Sequence, residues 1–248
     1  MAQKVRRERI LALLAEQGFA TAKELERVLG ISAATVHRDL AAMEALHLVK
    51  RCWGGVECAE GARLPPLPLR YDFRKREKKH IGQAAAALVE DGDVIFLDGS
   101  TTAESMAPYL AQKKDLTVLT NNLHLAALLG EGSANVICLG GRITERPFML
   151  FGDDTVEIAM KYRTDKAFFS TGGFTPEGLI ASGTYHLLHR VMLKNTKNAY
   201  FLADASKATE ELSLVLCDFS AVSGVITDYA FPEKTVSAFG REKFLLAK

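Results

Sequence analysis

Long apolar runs are absent from this sequence of 248 residues. A helix that crosses a bilayer needs about 20 consecutive apolar residues, and no stretch of the chain provides them. The N-terminal segment MAQKVRRERI carries charges where a secretory signal would carry an apolar segment. These absences argue against the membrane-spanning and exported classes, so we expect a cytoplasmic protein without a membrane partner.

Cysteine is also scarce. Cys52, Cys58, Cys138 and Cys217 are scattered without a CxxC spacing, which argues against a zinc site and against a disulfide framework. The phosphate-binding patterns GxxxxGKS/T and GxGxxG are missing too, so a nucleoside triphosphate or NAD is a poor candidate ligand. We therefore expect reduced cysteines that act as packing residues, no metal site and no cofactor.

Net charge is small, because 31 Lys and Arg residues are balanced by 30 Asp and Glu residues. Together with 48% hydrophobic residues, this balance indicates a globular chain with a full core. The cations are concentrated in the first third of the chain, however. A run of cations either forms a solvated face or binds a polyanion. They concentrate early, at Arg6, Arg7, Arg9, Arg38, Lys50, Arg51, Arg70, Arg74, Lys75, Arg76, Lys78 and Lys79.

Three short helices are predicted near the N-terminus. Apolar residues recur at helical spacing over 5–16, and Gly18 suits the end of that helix. Thr21 and Glu24 have the spacing of a capping box, and Gly30 ends the helix that they begin. Ser32 then caps the third helix. The residues expected to face the core are Ile10, Leu11, Leu13, Leu14, Leu25, Val28, Leu29, Val36, Leu40 and Met43.

The outer face of the third helix combines small residues with Arg38. Ala34, Ala41 and Ala45 lie opposite the apolar stripe, and small residues let a helix approach the floor of a DNA major groove. A strand and a glycine pair follow, as in a winged helix-turn-helix, whose wing cations bind flanking phosphates. Trp53 suits packing of the wing against the core. The candidate DNA-binding residues are Ser32, Ala33, Thr35, His37, Arg38, Lys50, Arg51, Gly54 and Gly55.

A proline-rich segment follows this region. EGARLPPLPLR, residues 60–70, cannot form a helix or a central strand, because proline lacks an N–H and fixes φ. We therefore predict a winged helix-turn-helix domain over 1–60, a stiff linker over 61–72 and a second domain over 73–248. The second domain opens with a helix over 73–90, whose apolar residues are Ile81, Ala84, Ala85 and Leu88.

Short apolar strands alternate with helical segments in the second domain. Such strands run into polar loops in DVIFLDGSTT, LTVLTNN, NVICLGG, KAFFSTGG, NAYFLADAS and VSGVITD. Helical patterns over 103–110 and 123–129 lie between them. This alternation predicts an α/β fold with a largely parallel sheet covered on both faces. Ligands of such sheets bind at the carboxyl ends of the strands, where these loops gather.

The loops suit a small phosphorylated compound. Residues 98–102 follow a strand and enter a helix, so their N–H groups and hydroxyls can surround a phosphate. Hydroxyls and amides of the other loops suit sugar hydroxyls, and their glycines permit close backbone approach. Lys207 can pair with a phosphate or carboxylate, while Arg142 and Arg146 can complete an anion site.

The chain resembles the DeoR family of bacterial transcription regulators from about residue 5 to its end. Residues 6–56, RRERILALLAEQGFATAKELERVLGISAATVHRDLAAMEALHLVKRCWGGV, carry the family pattern S-x-x-T-I/V-R-R-D-L and the glycine pair of the wing. His37 departs from the usual arginine and replaces a permanent charge with a side chain that is mostly neutral at pH 7. The matching residues are Ser32, Thr35, Val36, Arg38, Asp39, Leu40, Gly54 and Gly55.

The second domain is similar to the effector-binding domain of the same family. The motifs IFLDGSTT, LTVLTNN, LGG, DKAFFSTGG, LADASK and ITD carry this similarity. It implies a fold similar to ribose-5-phosphate isomerase and a sugar phosphate as effector. By this resemblance the phosphate is held by Asp98, Gly99, Ser100, Thr101 and Thr102. The pocket is lined by Thr120, Asn121, Gly140, Gly141, Gly172 and Gly173, and the sugar is faced by Asp204 and Lys207.

Two other functions compete with regulation. A sugar-phosphate isomerase with an accessory DNA-binding head would need a base, for which Asp98, Asp204, His186 and His189 are candidates by type. TYHLLHRVMLKN reads as an amphipathic helix, however, in which both histidines suit packing or surface positions. An architectural DNA-binding protein would not need phosphate-cradling loops. We therefore predict no catalytic residues and no enzyme activity.

The favoured function is a transcriptional regulator, more specifically a repressor of carbohydrate utilisation. It is expected to bind double-stranded operator DNA as a homo-oligomer, either a dimer or a tetramer. A phosphorylated sugar in the second domain would change its DNA affinity.

Overall fold

The computed structural model describes residues 3–17, 19–45, 48–52, 54–58, 73–143, 148–181, 186–209 and 214–247. The chain divides into two compact units, Met1–Phe73 and Arg74–Lys248. The predicted linker over 61–72, the helix stop at Gly18, Trp53 and Arg146 lie outside the described residues. No described helix is long and apolar enough to cross a membrane.

The N-terminal unit is a winged helix-turn-helix, as predicted. Three helices, α1 (Gln3–Gln17), α2 (Ala22–Leu29) and α3 (Ala33–Ala45), form its body. Three short strands, β1 (Phe19–Ala20), β2 (Val49–Cys52) and β3 (Gly55–Cys58), pair antiparallel in the order β1-β3-β2. Strands β2 and β3 form the hairpin of the wing, and Gly54 at its turn has a φ of 89° that favours glycine.

The predicted ends of α2 are confirmed. The hydroxyl of Thr21 accepts a hydrogen bond from the backbone N–H of Glu24, and the Glu24 carboxylate accepts one from the N–H of Thr21 at 2.9 Å. Gly30 ends the helix in the left-handed conformation, with φ 63°. The inward position of Val28 is wrong, because its side chain is 42% exposed. It lies about 100° around the helix from Leu29, which faces the core.

The core of this unit is built from the predicted apolar stripes. Side chains from all three helices pack with residues of the wing strands, and β-branched Val49 and Val56 come from those strands. Leu13 is half-buried, and the predicted residues that are buried are Ile10, Leu11, Leu14, Leu25, Leu29, Val36, Leu40 and Met43. The helical periodicity therefore identified the inward faces of α1 and α3 correctly.

The C-terminal unit is built on a parallel sheet. Its strands are β4 (Val94–Leu97), β5 (Thr117–Thr120), β6 (Asn135–Cys138), β9 (Thr164–Phe169), β12 (Thr196–Ala203), β14 (Gly224–Thr227) and β15 (Phe244–Leu246). Their order is β15-β14-β12-β9-β4-β5-β6, and every neighbouring pair runs parallel. All of the strands predicted from the sequence lie in this sheet. The sheet also contains β15, which was not predicted.

Helices and smaller antiparallel strands surround the sheet. The helices are α4 (Lys75–Ala86), α5 (Thr101–Glu104), α6 (Ala107–Leu110), α7 (Leu123–Gly130), α8 (Asp153–Met160), α9 (His186–Asn195) and α10 (Glu233–Phe239). Strands β10 (Gly173–Thr175), β11 (Gly178–Ile180) and β13 (Val215–Cys217) form one antiparallel sheet, and β7 (Arg142–Ile143) pairs with β8 (Leu150–Phe151). A 3-10 turn, Ala205–Lys207, follows β12 directly.

Side chains of the central strands alternate between two cores. Ile95 and Leu97 of β4 belong to one cluster of buried residues, whereas Phe96 between them belongs to the other. Phe168 and Phe169 of β9 divide in the same way. Both faces of the sheet are therefore covered, as predicted, which explains why its strands are apolar throughout.

Two predicted helices are shorter than expected. The pattern over 103–110 forms α5 and α6 instead of one helix, because Pro108 lacks an N–H and its ring clashes with the carbonyl four residues earlier. The helix predicted over 73–90 begins only at Lys75, since Arg74 adopts a left-handed φ of 50°. The backbone that follows β4 therefore has only one helical turn before it bends.

Candidate functional site

The predicted DNA-binding face of α3 is exposed. Ala33, Ala34, Ala41 and Ala45 and the polar His37 and Arg38 all reach the surface, opposite the buried apolar stripe. At the start of the helix, the hydroxyls of Ser32 and Thr35 hydrogen-bond each other at 3.0 Å. The result is a helix face of small side chains with one arginine, which suits entry into a groove.

Asp39 lies within this helix but faces inward and has no solvent exposure. Its carboxylate accepts hydrogen bonds from the guanidinium groups of Arg6 and Arg7 of α1, the latter at 2.9 Å. Burial alone raises the pKa of Asp39, but the two guanidinium groups outweigh it and lower the pKa overall. Arg6 and Arg7, expected among the cations for a polyanion, are thus a structural tie between α1 and α3.

The wing cations are also engaged by the protein. Arg51 donates to the backbone carbonyl of His37 at 2.8 Å, and its Nε lies 3.3 Å from the carboxylate of Glu44. Lys50 lies 3.8 Å from the carboxylate of Glu57. Arg51 therefore fixes the wing to α3, a role that the sequence prediction of a phosphate contact did not include.

Gly55 has a packing role in the wing. A Cβ at this position would lie 2.4 Å from the carbonyl oxygen of Ala20 and 2.5 Å from the ring of Phe19. The close approach of β1 to β3 therefore requires glycine, whatever contact the backbone makes with DNA.

The second candidate site lies at the carboxyl ends of the central parallel strands. Asp98 follows β4 and is buried. One carboxylate oxygen accepts from the N–H and hydroxyl of Ser100 at 3.1 and 2.6 Å, and the other accepts from the N–H of Ser170 at 3.1 Å. The hydroxyl of Ser100 in turn caps α5 by accepting from the N–H of Ala103. Asp98 thus holds the loop in place, and its contact with a phosphate stays a prediction.

His189 of α9 completes the surroundings of Asp98. It is buried, and its Nε2 lies 3.3 Å from Oδ2 of Asp98. Its ring packs against Phe169, with 5.3 Å between centroids. The sequence prediction counted His189 as a packing or surface residue, and the contact with the carboxylate was missed. A histidine among the buried residues Leu188 and Met192 of α9 was the available signal.

Several buried polar atoms near these strand ends have no hydrogen-bond partner among the described residues. Native proteins leave few such groups, since each costs about 1–3 kcal/mol. The atoms are Oδ1 of Asn121 after β5, Oγ of Ser170 after β9, Oδ2 of Asp204 after β12, Nδ1 of His189 and Nε of Arg74. We call Asn121, Ser170, His189 and Asp204 the orphan set.

The polar residues after β5 divide between two roles. Asn121 donates from Nδ2 to the carbonyl of Leu150 at 3.1 Å, which leaves its Oδ1 for the orphan set. Asn122 instead caps α7 and donates to the carboxylate of Glu104 at 2.8 Å. The hydroxyl of Thr120 accepts the N–H of Asn122 at 3.1 Å. Thr120 was predicted as a pocket residue, and this bond gives it a role in shaping the loop.

The predicted glycines are explained largely by contacts within the protein. A Cβ on Gly141 would lie 2.1 Å from the hydroxyl of Thr155, and one on Gly99 would lie 2.4 Å from the side chain of Met149. Gly173 opens β10 and approaches the backbone of Lys207. Three further residues were predicted to lie at the effector site. Gly140 is half-buried, whereas Gly172 and Arg142 are exposed.

Thr101 and Thr102 are buried in the single turn of α5, next to the Asp98 loop. The short α5 provides a weaker dipole than the longer helix that was predicted. A phosphate bound at this loop would therefore depend on backbone N–H groups and hydroxyls more than on a helix dipole. Among the described residues, no group of three or more His, Cys, Asp or Glu side chains is placed to hold a metal ion.

Asp204 connects the strand ends to the first residue of the unit. Its Oδ1 accepts from the N–H of Ser206 at 3.1 Å and lies 3.4 Å from Nε of Arg74. Arg74 also pairs with Asp228, which accepts the N–H of Ala205 at 2.6 Å. Burial alone lowers the pKa of Arg74, but these carboxylates raise it overall, so the guanidinium stays charged.

Lys207 ends the 3-10 turn that Asp204 caps. Its side chain is half-buried, near the strand ends where the prediction placed it. The loop over 210–213 beyond it lies outside the described residues.

Comparison with known proteins finds matches over both units. A family model described as the DeoR C terminal sensor domain matches residues 74–229, and one described as a DeoR-like helix-turn-helix domain matches residues 6–61. The chain is 27% identical to the glycerol-3-phosphate regulon repressor of Haemophilus influenzae, over 98% of this chain and 96% of that protein. It is 31% identical to the uncharacterized HTH-type transcriptional regulator FruR of Bacillus subtilis, over 89% and 86%.

Among solved structures, the chain is similar to ribose 5-phosphate isomerase A of Methanocaldococcus jannaschii. The TM-score is 0.40, with 19% identity over 56% of each chain. This similarity is too distant to carry a functional conclusion.

Proposed function

Since the chain belongs to the DeoR family of bacterial DNA-binding transcriptional regulators, we propose that it represses a carbohydrate-utilisation operon under the control of a phosphorylated sugar. One relative is named as the repressor of a glycerol-3-phosphate regulon. In this proposal the N-terminal unit binds operator DNA, the C-terminal unit binds the effector, and the protein acts without a catalytic step.

The observation that carries the effector proposal is the orphan set. Asn121, Ser170 and Asp204 follow β5, β9 and β12, and His189 contacts Asp98, which follows β4. These four strands are neighbours in the sheet. Neighbouring strands lie about 4.8 Å apart, so four strand ends span roughly 14 Å, enough for a small sugar phosphate. Desolvated carboxylate, amide, hydroxyl and imidazole atoms suit the hydroxyl groups of such a ligand.

DNA binding is assigned to the exposed face of α3. The alanines allow close approach to the groove floor, and Arg38 supplies a cation that reaches a phosphate or a guanine edge. Arg51 and Asp39 act indirectly in this proposal, because they hold the wing and α1 against the helix. A homo-oligomer with two-fold symmetry would match the two half-sites of an operator.

Arg74 offers a route from the effector to the linker. It is the first residue of the C-terminal unit, two positions after the end of the predicted linker, and its Nε lies 3.4 Å from Asp204. A ligand hydroxyl that donates to the unpartnered Oδ2 of Asp204 would weaken the hold of that carboxylate on Arg74. Effector binding and DNA binding would then change each other's affinity by the same factor.

The test is a DNA titration by fluorescence anisotropy, with DNA from upstream of the protein's own gene. Glycerol 3-phosphate, ribose 5-phosphate, glucose 6-phosphate, fructose 1-phosphate and fructose 6-phosphate are added in turn. We expect one of them to change the affinity about tenfold, a coupling of about 1.4 kcal/mol. Asp204→Asn should lose this response and keep DNA binding, whereas Arg38→Ala should lose DNA affinity and keep effector binding.

The same compounds separate the competing functions. DNA affinity that no compound alters would count against effector control, and chemical conversion of one compound would support the isomerase. Size-exclusion chromatography with light scattering gives the oligomeric state, and a monomer in the presence of operator DNA would contradict two-fold binding.

A further inference from the structure

The imidazole of His189 has one occupied nitrogen and one unoccupied nitrogen. Nε2 lies 3.3 Å from Oδ2 of Asp98, while Nδ1 is buried and has no hydrogen-bond partner among the described residues. The side chain is only 7% exposed, so bulk water does not readily serve as that partner. The chemistry of Nδ1 therefore depends on which nitrogen carries the proton.

The surroundings of Asp98 determine that proton position. A carboxylate oxygen accepts about two hydrogen bonds, and Oδ1 already receives two, from the N–H and hydroxyl of Ser100. Oδ2 receives the N–H of Ser170 and faces Nε2 of His189. A proton on Asp98 would displace one of these donors, so the carboxylate acts only as an acceptor. In a neutral imidazole Nε2 is then the donor, and Nδ1 keeps its lone pair.

A second atom of the orphan set is also an acceptor that lacks a hydrogen-bond donor. Asn121 donates through Nδ2 to the carbonyl of Leu150, which leaves its Oδ1 as an acceptor without a partner. Both atoms need a group that donates a hydrogen bond. The hydroxyls of a sugar provide such donors, whereas a phosphate dianion provides none.

We propose that His189 is a specificity-determining residue of the effector site, whose Nδ1 accepts a hydrogen bond from a hydroxyl group of the sugar. Asp98 is its positioning residue, because it fixes the tautomer. This inference rests on the proposed function and deepens it: the part of the effector beside α9 is the hydroxylated carbon chain, and the phosphate lies elsewhere along the strand ends. A ligand that lacks the hydroxyl leaves Nδ1 desolvated and unpaired, and is rejected for that reason.

Two substitutions separate the two nitrogens. The amide of His189→Gln reaches the position of Nε2 and can donate to Asp98, but nothing replaces Nδ1. The shorter amide of His189→Asn lies near the position of Nδ1 and can accept from the ligand, but it loses Asp98. His186→Gln is the matched control, since it makes the same change on the same helix.

Isothermal titration calorimetry with the five phosphorylated compounds named above measures the affinity of each full-length variant. For the compound that the unsubstituted protein binds best, we expect His189→Gln to weaken binding about tenfold. His189→Asn should retain more of the affinity than His189→Gln.

If His189→Gln binds the compound as tightly as His189→Asn or more tightly, His189 acts only through Asp98. That result would overturn the proposal. Unchanged affinity in His189→Gln would overturn it as well, even if the Asn variant does not fold. If the unsubstituted protein binds none of the compounds, the proposed effector function fails first, and that outcome is distinct from either of these.

Discussion

Asp39→Asn tests whether the buried carboxylate of α3 is the tie that holds the DNA-binding unit together. The side chain of Asp39 is 1% exposed and contacts two guanidinium groups. Asparagine has the same shape, and its carbonyl oxygen can accept from one arginine. Its NH2 group then faces the N–H groups of the other arginine, so that contact becomes repulsive.

The magnitude follows from the number and burial of the contacts. Each hydrogen bond to a charged group contributes about 1.5–3 kcal/mol, and breaking a fully buried ion pair costs about 3–5 kcal/mol. The side chains of Arg6 and Arg7 are 14% and 25% exposed, so both recover part of their hydration when the carboxylate is lost. We therefore expect the substitution to lower the unfolding free energy of this unit by about 2–3 kcal/mol.

Hydrogen exchange of the backbone amides of α1 and α3 in the full chain measures this free energy directly. Glu44→Gln is the matched control, because it also converts a carboxylate of α3 that pairs with an arginine. The Glu44 side chain is 45% exposed, and a solvent-exposed pair contributes about 0–1 kcal/mol. A loss for Asp39→Asn no larger than that of Glu44→Gln would refute the reasoning that burial makes this pair structural.

Four further results are expected. The pKa of Asp39 is lowered on folding, so the ionised carboxylate stabilises the unit fully above an unfolded pKa of about 3.9. This stabilisation is lost as pH falls through the folded pKa. Chemical denaturation should therefore show a smaller difference in unfolding free energy between the unsubstituted protein and Asp39→Asn at pH 3 than at pH 7. Arg38→Ala should weaken operator binding by about 1–3 kcal/mol in a salt-controlled anisotropy titration, and unchanged affinity would remove Arg38 from the interface. Gly55→Ala should destabilise the wing by about 1–3 kcal/mol in urea denaturation, since its Cβ would lie 2.4 Å from the Ala20 carbonyl oxygen; Gly130→Ala, which meets no atom within 4 Å, is the control. Burial raises the pKa of Cys217 to about 11, so alkylation of Cys217 with iodoacetamide at pH 8, followed by peptide mass spectrometry, should be slow until urea is added. Because Cys138 is exposed, only rapid labelling of Cys217 itself in the native protein would contradict this.

Local signals predicted much of the fold. The capping box of Thr21 and Glu24 and the stop at Gly30 involve residues a few positions apart, so they can be found without knowing the rest of the chain. The apolar strands were equally visible, because a sheet buried on both faces needs continuous apolar runs. The position of the polar loops at one edge then followed from the parallel arrangement. The prediction of one continuous helix over 103–110 was wrong, because Pro108 divides this segment into α5 and α6.

The contacts of the candidate site residues could not be predicted from the sequence, because they join residues that are distant in the chain. Asp98 and His189 are 91 positions apart, and Arg7 and Asp39 are 32 positions apart. Nothing in either local pattern shows that these side chains meet. Gly55 was noticed as half of a turn, whereas its packing against β1 is visible only when the strands are paired.

Periodicity and turn chemistry act over short distances. They are therefore enough to predict the two kinds of structural unit, the exposed face of α3 and the polar loops at the strand ends. Only the folded arrangement shows which polar atoms in those loops bond to other parts of the protein and which have no partner among the described residues. That distinction depends on desolvation and on contacts between distant segments. The proposed positioning role of Asp98 and the proposed contact of His189 with the effector both rest on that distinction.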